Sequence, residues 1–444
     1  MHSSEVNTRE RIDAMKTVSR RIPPDKGSAL LTSLMVVSAL IVLGVGYLSS
    51  QNADYGLMIR SQGWLHAENV AEAGAELAIW EINDGGADFV AGGNWTGAGT
   101  TLVPYVRTGQ LTTAQGTVLG DYEVNVEQID TATFTVTSTG FFPSQVAPLA
   151  QREVKLELLR KPLFDKAVKA RGQIAATNRL EADSYDSSLG SYDSQTPGSD
   201  TDFYTNATGA DAVKFGPSSS ILGNIFVGPG GNAATDITLG SGSTVSGVLG
   251  AASAALSPEV ILPPSGLTSA AAIDISTIGG TGAIPPGTWV IPSITVAKNA
   301  TLNITGDTVI SVTGNIDMKT SSQLHVADGA HLTVYLNPSS ATNITLGNKT
   351  TFTCQTPEQL AIYADSNVSK ITIGCQGVFI GTIYAPDTEV KCGLNMGEVY
   401  GAFIGKLIDF GPAMVYHYDT ALRTTGPLEQ IYSVQDWQSK NATP

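Results

Sequence analysis

Two pairs of side chains near the C terminus have the residue types of an acid–base catalytic site. His417 and Asp419 alternate in one short stretch, and Asp387 and Glu389 alternate in another. Such groups can protonate and deprotonate a polysaccharide during cleavage, a reaction that many β-rich enzymes perform. The five histidines are scattered, however, and the chain has no Gly-x-Ser-x-Gly nucleophile motif. We therefore expect no enzyme activity, and we expect the residues around His417 to be a packed end cap.

A second group of potential ligands lies in the Ser-, Asp- and Tyr-rich residues 181–202. This stretch contains a short internal echo, Ser184-Tyr185-Asp186-Ser187 and Ser191-Tyr192-Asp193-Ser194. Clustered carboxylates can bind calcium through six to eight oxygens, but the Asp-x-Asp-x-Asp-Gly spacing is absent. The pattern favours exposed turns in which Asp and Ser side chains bond to nearby backbone. We expect no bound metal and no cofactor.

The chain has three cysteines, Cys354, Cys375 and Cys392, which are separated by about 20 residues each. Three cysteines are too few for a disulfide-built scaffold, so the core must come from apolar burial. They are expected either to stack as small buried hydrophobes or to form a disulfide between two of them. A zinc site is not expected, because no pair has the short Cys-x-x-Cys spacing.

The apolar run of residues 29–48 gives the clearest prediction of a secondary-structure element. About 20 apolar residues are enough for an α-helix to cross the hydrocarbon core of a bilayer. Basic residues precede the run and few charges follow it, so the positive-inside rule places the N terminus in the cytoplasm and exports the rest. The basic residues are Arg9, Arg11, Lys16, Arg20, Arg21 and Lys26. We expect a single-pass inner-membrane protein whose head reaches the periplasm or the cell surface.

The apolar helix is predicted to continue into water to about Ile82 and to end at the following glycines. Within the membrane, Gly44 and Gly46 are small enough to let another helix approach closely. In the outer half, Glu68, Glu72 and Glu76 recur every fourth residue and form one acidic stripe. This stripe is expected either to be a solvated face or to contact basic residues of another subunit or of the protein's own head.

The remainder of the chain is predicted to be mainly β, which makes the fold class α+β. Residues 84–160 show period-2 alternation and are expected to form a small antiparallel sheet on the helix. Residues 161–215 are expected to be a connector, residues 216–420 a parallel β-helix or related β-solenoid, and residues 421–444 a tail. Short β-branched strands punctuated by Gly, Asn and Asp favour a solenoid over a β-sandwich. Residues 262–286, with two Pro-Pro pairs, are expected to be a loop excursion.

Composition sets limits on the partners of the chain. The net charge is −15, only 15% of the residues are charged, and 47 of the 444 residues are glycine. An acidic surface repels phosphates, so the protein is not expected to bind nucleic acid. High glycine content with many Thr, Ser, Val and Ile residues is typical of short strands and turns.

The N-terminal residues resemble a type IV prepilin leader. Residues 1–27 end at Gly27, and cleavage between Gly27 and Ser28 on the cytoplasmic side would leave the apolar helix, residues 28–83, on the mature chain. Residues 64–76 resemble the end of the long helix in PilX-like minor pilins and K-type pseudopilins. The chain departs from common pilins in starting with Ser28, where phenylalanine is usual, and in having Thr32 at the fifth mature position, where glutamate is usual. These departures imply a minor, tip or priming subunit.

A second resemblance lies further along the chain, in Gly377-Val378-Phe379-Ile380-Gly381 and in Gly397-Glu398-Val399-Tyr400-Gly401. These stretches look like the uncharacterised C-terminal domain that follows PilX-like N-termini in many envelope proteins. The resemblance implies a structural subunit of a type IV pilus or a related type II secretion-like filament. Its expected partners are other pilins or pseudopilins, the inner-membrane assembly platform, prepilin peptidase and the membrane. The alternative is a membrane-anchored adhesin or glycan-binding module that recognises a surface glycan.

Overall fold

The computed structural model describes residues 26–85, 89–90, 94–130, 132–259, 261–339, 342–347, 349–374, 377–393, 397–428 and 432–441. These residues contain two α-helices, α1 (Lys26–Gly85) and α2 (Ala233–Asp236). They also contain short 3-10 helices at Ser187–Leu189, Tyr192–Ser194, Pro357–Gln359 and Thr420–Arg423. The strands in chain order are β1 (Tyr105–Thr112), β2 (Val118–Gln128), β3 (Thr133–Phe142), β4 (Ala150–Leu159), β5 (Val168–Ala170), β6 (Ile174–Ala176), β7 (Leu180–Tyr185), β8 (Phe203–Thr205), β9 (Val213–Phe215), β10 (Ser220–Ile221), β11 (Ile225–Val227), β12 (Ile237–Leu239), β13 (Thr244–Val245), β14 (Leu249–Ala251), β15 (Thr268–Ser269), β16 (Ile273–Ile275), β17 (Thr281–Ile284), β18 (Gly287–Ile291), β19 (Ile294–Val296), β20 (Thr301–Ile304), β21 (Thr308–Val312), β22 (Ile316–Met318), β23 (Gln323–Val326), β24 (Leu332–Leu336), β25 (Thr342–Leu346), β26 (Thr351–Thr353), β27 (Leu360–Ala364), β28 (Val368–Ile373), β29 (Val378–Cys392), β30 (Glu398–Phe410), β31 (Met414–Asp419) and β32 (Ser433–Asn441).

The long helix α1 has two halves with different surroundings. Its 60 residues span about 90 Å at 1.5 Å per residue. From residue 30 to residue 62 almost every side chain is exposed, whereas from Gly63 onward one face is buried. The buried residues follow the three- and four-residue spacing of one helix face: Ala67, Val70, Ala71, Ala75, Ala78 and Ile82. The prediction of a long apolar N-terminal helix is confirmed.

A five-stranded antiparallel sheet covers the buried face of α1, in the order β1-β2-β3-β4-β32. Strands β2, β3 and β4 lie within residues 84–160, where the alternation predicts an antiparallel sheet on the helix. Strand β32 was not predicted, because residues 421–444 were expected to be a tail. It pairs with β4, with Ser433 opposite Leu159. Its side chains are mostly exposed, as expected for an edge strand, so it carries little apolar alternation.

The other strands form two parallel sheets, one of 23 strands and one of four, which we call the parallel stack. Over most of the stack, each strand pairs with a strand that lies roughly 20 to 28 residues away along the chain. One series of in-register partners is Trp289, Ile310, Val334, Ile362, Ile383 and Phe403. Side chains that point inward form one continuous apolar core. The mainly β content and the presence of parallel sheets are therefore as predicted.

The strands of the parallel stack that come first along the chain, β5 to β7, lie in the middle of the stack. Strand β30 pairs with β29 on one side and with β5 and β6 on the other, and β31 pairs with β7. Residues 268–419 thus form one part of the stack and residues 168–251 form the other. We call the junction between β30–β31 and β5–β7 the seam. The expectation that residues 161–215 are a connector is wrong, because β5 to β9 lie there and pair within the stack. Residues 262–286 likewise contain β15, β16 and β17 and are not only a loop.

The two parts of the stack are joined by residues 252–267, which run between its ends. One series of pairings follows the order β15-β18-β21-β24-β27-β29-β30-β5-β8-β11-β14, so β14 and β15 lie at opposite ends. The connection contacts the side of the stack on its way. The Tyr384 hydroxyl donates to the backbone oxygen of Glu259 (2.7 Å), and Asn206 exchanges two hydrogen bonds with the backbone of Leu256.

Candidate functional site

The exposed half of α1 has the dimensions and composition of a membrane anchor. It is the one helix in the described residues that is long and apolar enough to cross a membrane, with a mean hydropathy of 2.2 over its most apolar 18 residues. Gly27 and Ser28 lie in the first turn of α1. Gly44 and Gly46 lie in the exposed half, where a Cβ added to either would meet no atom within 4 Å. Within this half, Ser33 and Ser38 donate their hydroxyl protons to backbone oxygens of the preceding turn (both 2.8 Å).

The predicted acidic stripe of α1 contacts the protein's own sheet at one of its three residues. The Glu68 carboxylate lies 3.8 Å from the Arg152 guanidinium on β4 and accepts a hydrogen bond from the Ser439 hydroxyl on β32 (2.5 Å). Glu72 is half-buried and Glu76 is exposed. A further carboxylate of the helix, outside the predicted stripe, is also bonded to the rest of the protein. Glu81 pairs with Arg107 and accepts a hydrogen bond from the Trp95 indole (2.7 Å).

Two of the three cysteines are described, and both are free and buried. They are Cys354 and Cys392. Burial raises the pKa of the Cys354 thiol to about 12 and also raises that of Cys392. Both groups therefore stay protonated and unreactive at neutral pH. The prediction for Cys375 falls outside the described residues.

Two of the three carboxylates that had catalytic residue types are held in ion pairs on the stack surface. Asp387 on β29 pairs with Arg171, and Glu389 accepts a hydrogen bond from Lys370 (2.7 Å). Asp419 is buried and caps the 3-10 helix that follows it, accepting from the Ala421 amide (3.1 Å) and also from the Ser187 amide (2.9 Å). The described residues contain no group of three His, Cys, Asp or Glu side chains placed to hold a metal ion.

His417 forms a buried hydrogen bond across the seam. Its Nδ1 lies 2.6 Å from Asp183 Oδ1, and the side chain is about 3% exposed. The other oxygen of Asp183 accepts from the Tyr192 hydroxyl (2.7 Å). The His417 ring is flanked by two tyrosines, with centroids 3.8 Å from Tyr192 and 4.6 Å from Tyr400. His417 and Asp419, which share a strand, therefore have different partners and do not form one acid–base pair.

Beside this cluster lies an open cavity of about 620 Å³, which we call the seam cavity. It is lined from both parts of the stack. Residues 185–193 form one wall, and strands β29 and β30 with residues 355–356 form the other. The principal side chains are Tyr185, Tyr192 and Asp193 from the first part and Ile380, Glu398 and Tyr400 from the second.

The wall formed by residues 186–195 is fixed by its own polar side chains. The Asp186 carboxylate caps the first 3-10 helix by accepting from the Ser188 amide (3.0 Å). The Gln195 amide group donates to the backbone oxygens of Asp186 and Gly190 (both 2.8 Å). The Asp186 contact matches the prediction that Asp and Ser side chains in this stretch bond to nearby backbone. The turns also border the seam cavity, which no pattern in the sequence indicates.

Two of the cavity tyrosines are neutral donors at physiological pH. Burial, together with the hydrogen bond to Asp183, raises the pKa of Tyr192. Burial and the hydrogen bond from the Tyr400 hydroxyl to Glu398 (2.8 Å) raise the pKa of Tyr400. The repeated Ser-Tyr-Asp-Ser stretch is the only pattern noted in the sequence that falls at the seam cavity. The pairing of Asp183 with His417, 234 residues apart, had no local signal.

Comparison with known proteins gives a partial match. The crystal structure of the competence-associated pilin ComZ from Thermus thermophilus is 12% identical, covers 85% of this chain and 98% of its own, and superposes with a TM-score of 0.32. At that TM-score the likeness supports no argument about this chain. A search of curated proteins finds no match. Residues 267–425 match a family model described as a domain of unknown function, DUF7305. The matched residues are those of β15 to β31 with the following 3-10 helix, which is the part of the stack on one side of the seam.

Proposed function

We propose that this protein is a structural subunit of a type IV pilus or a related type II secretion-like filament, in a minor, tip or priming position. The single observation that carries the proposal is the division of α1. Its first half is apolar and exposed, and its second half is packed on an antiparallel sheet. A helix built in this way can be held by lipid before assembly and by the helices of other subunits afterwards.

The length of the exposed half supports this proposal over a simple anchor. Residues 30–62 span about 50 Å at 1.5 Å per residue, whereas a membrane span needs about 30 Å. The extra turns carry exposed apolar side chains well beyond the apolar run, including Tyr55, Leu57 and Met58. Large apolar side chains outside a membrane favour contact with other protein surfaces. We propose that neighbouring pilin or pseudopilin helices cover them.

We infer the position of the subunit from the residue at the fifth position of the mature chain. Prepilin peptidase would cut after Gly27, and Thr32 would then occupy the fifth position. A glutamate there pairs with the free N-terminal amine of a neighbour in major pilins, as the resemblance implies, because a charge within lipid requires a partner. Without it, the chain suits a subunit used once or a few times, delivered by the inner-membrane assembly platform.

We infer that the parallel stack is a β-solenoid and that it is the displayed head. Three series of in-register parallel strands support this inference, since a solenoid places equivalent strands one coil apart. One of these three series includes β20 and β23, in which Leu302 pairs with Leu324. We propose a structural role with no catalysis. In support, Asp387 and Glu389 are engaged by Arg171 and Lys370.

One observation favours the second candidate, a membrane-anchored adhesin. The seam cavity is open, lies on the head and is lined with tyrosines. Aromatic rings with convergent polar groups are typical of small-ligand and glycan sites. The two functions are compatible, because a filament subunit can also carry an adhesive head.

The filament proposal is tested by recruitment into sheared filaments. Gly44→Leu combined with Gly46→Leu fills the surface where close helix approach is proposed. The control is Thr288→Leu, which adds a leucine at an exposed position of β18 on the parallel stack, away from the proposed helix contact. We expect wild type and Thr288→Leu in the filament fraction and at least about tenfold less of the double variant, with equal amounts in the membrane. Absence of the wild type from filaments, or equal recruitment of all three proteins, would contradict the proposal.

A further inference from the structure

We propose that the seam cavity binds an organic cation, specifically an alkylammonium group carried by a small amine or by a lysine side chain. The cavity lies where the two parts of the stack meet, on the surface formed by β7, β29, β30 and β31. It exists only when both parts are in place. The inference does not depend on filament assembly.

The aromatic lining supplies π faces in place of free hydroxyl groups. Tyr185, Tyr192 and Tyr400 pack edge to face, with centroids 5.7 to 5.9 Å apart. The hydroxyls of Tyr192 and Tyr400 are already used as donors to Asp183 and Glu398. Both rings remain partly exposed at the cavity. The electron-rich faces of tyrosines attract ammonium groups through the cation–π interaction.

The charge of the cavity selects a cation over an anion. Glu398 and Asp193 line the cavity, and none of the described residues that line it is Lys, Arg or His. The protein as a whole carries a net charge of −15, which attracts cations to its surface over longer distances. An anionic ligand would meet two carboxylates and no compensating positive charge.

The cavity is held in shape without a ligand. Asp183 fixes Tyr192 through the 2.7 Å hydrogen bond and fixes His417 beneath it through the 2.6 Å hydrogen bond. Gln195 holds the turns of the wall that contains Tyr192, by donating to the backbone oxygens of Asp186 and Gly190. Side chains that are fixed in advance lose little conformational freedom on binding, so a small ligand can bind with useful affinity.

The test compares choline with its neutral isostere 3,3-dimethylbutan-1-ol on the full-length, detergent-solubilised protein. The two molecules have the same shape and differ in charge, so their affinity difference isolates the cationic contribution. Isothermal titration calorimetry should show choline binding at least about tenfold more tightly. Nα-acetyl-lysine methylamide forms a second arm. Tighter binding of choline supports a small quaternary amine, and tighter binding of the lysine derivative supports a protein partner.

Three variants localise the binding. Tyr192→Leu and Glu398→Gln should each weaken choline binding about tenfold, whereas Tyr400→Phe, which keeps the ring, should change it less than threefold. The matched control is Tyr204→Leu, a partly exposed tyrosine outside the cavity that packs on Phe226. The proposal is overturned if the neutral isostere binds as tightly as choline, if wild type binds neither cation, or if Tyr204→Leu weakens binding as much as Tyr192→Leu does. The wild-type comparison remains decisive even if a variant fails to fold.

Discussion

Ser433 lies opposite Leu159 in the antiparallel sheet, although 274 residues separate them in the chain. The side-chain hydroxyl of Ser433 also donates to the backbone oxygen of Leu159 (3.1 Å). The whole parallel stack is therefore inserted between two neighbouring strands, β4 and β32, of the sheet that packs on α1. The stack leaves and rejoins this sheet at one place, so the head and the helix-bearing part are separable in principle.

This arrangement predicts that the helix-bearing part folds without the stack. Replacing residues 161–431 with Asn-Gly should leave β4 and β32 paired as a hairpin, because a two-residue loop of this type joins adjacent antiparallel strands. We expect a single cooperative unfolding transition by circular dichroism in detergent, together with protease-resistant α1 and sheet. An unfolded sheet in this variant, with rapid proteolysis of β1 to β4, would show that the stack is required for its stability.

The hydrogen bond between Asp183 and His417 is predicted to stabilise the seam. Asp183→Ala leaves the buried His417 ring and the Tyr192 hydroxyl without an acceptor, which should lower the free energy of unfolding of the stack by about 2–4 kcal/mol. Urea unfolding followed by tyrosine fluorescence measures this change.

An exposed pair of the same residue types provides the control for the seam. Asp307 Oδ1 lies 3.1 Å from His331 Nδ1, and both side chains are more than half exposed. Asp307→Ala should hardly change the urea midpoint, because water replaces the lost partner. Equal effects of the two substitutions would mean that burial at the seam contributes nothing to its stability.

Close packing of α1 on the sheet is predicted to depend on Gly140. A Cβ at this position would lie 2.0 Å from the Ala67 backbone oxygen and 2.5 Å from the Ala71 nitrogen, so Gly140→Ala must push the helix from β3. We expect a loss of about 1–3 kcal/mol in the free energy of unfolding. Gly56→Ala is the control, since its Cβ meets no atom within 4 Å and alanine favours the helix. Thermal denaturation measures both variants, and a lower melting temperature for Gly56→Ala than for Gly140→Ala would contradict this packing.

Asp419 is predicted to make the seam less stable as the pH rises. Burial raises the pKa of this carboxyl group above its ordinary value, and its Oδ2 has no hydrogen-bond partner among the described residues. Between the pKa values of the unfolded and folded chain, the folded state retains a proton that the unfolded state has lost. The contribution of Asp419 to stability therefore falls as the pH rises through this window.

Asp419→Asn tests this pH dependence, because the amide keeps an acceptor for the Ser187 and Ala421 amides and cannot ionise. The difference in unfolding free energy between the variant and wild type should grow in favour of the variant from pH 4 to pH 7, as chemical denaturation at each pH can show. A difference that stays constant across this range would exclude a raised pKa for Asp419.

The parts of the fold that the sequence predicts are those with long, regular patterns. The apolar run and the alternation in β2 and β3 each extend over eight or more residues, so one buried face can be predicted from the spacing alone. Strands such as β5, with Val168, Lys169 and Ala170, offer only three residues. Three residues show no period, so the sequence predicts no strand at β5 within residues 161–215.

The seam could not be predicted because its contacts are long-range. Val168 pairs with Phe403, and Asp183 bonds to His417, each across more than 230 residues. No local rule of spacing indicates which distant strand completes a parallel pair. The cavity at the seam was missed for the same reason, since its two walls come from different parts of the chain. Glu81 was missed because it lies outside the every-fourth-residue stripe, although Arg107 and Trp95 bind it.

We propose that α1 remains on the mature protein and holds it in a filament or membrane. Mass spectrometry of the protein purified from its native membrane or filament fraction tests this claim most directly. We expect a mature chain that begins at Ser28 and keeps the entire apolar half of α1. A mature chain that has lost residues 1–50, recovered free in solution, would contradict it.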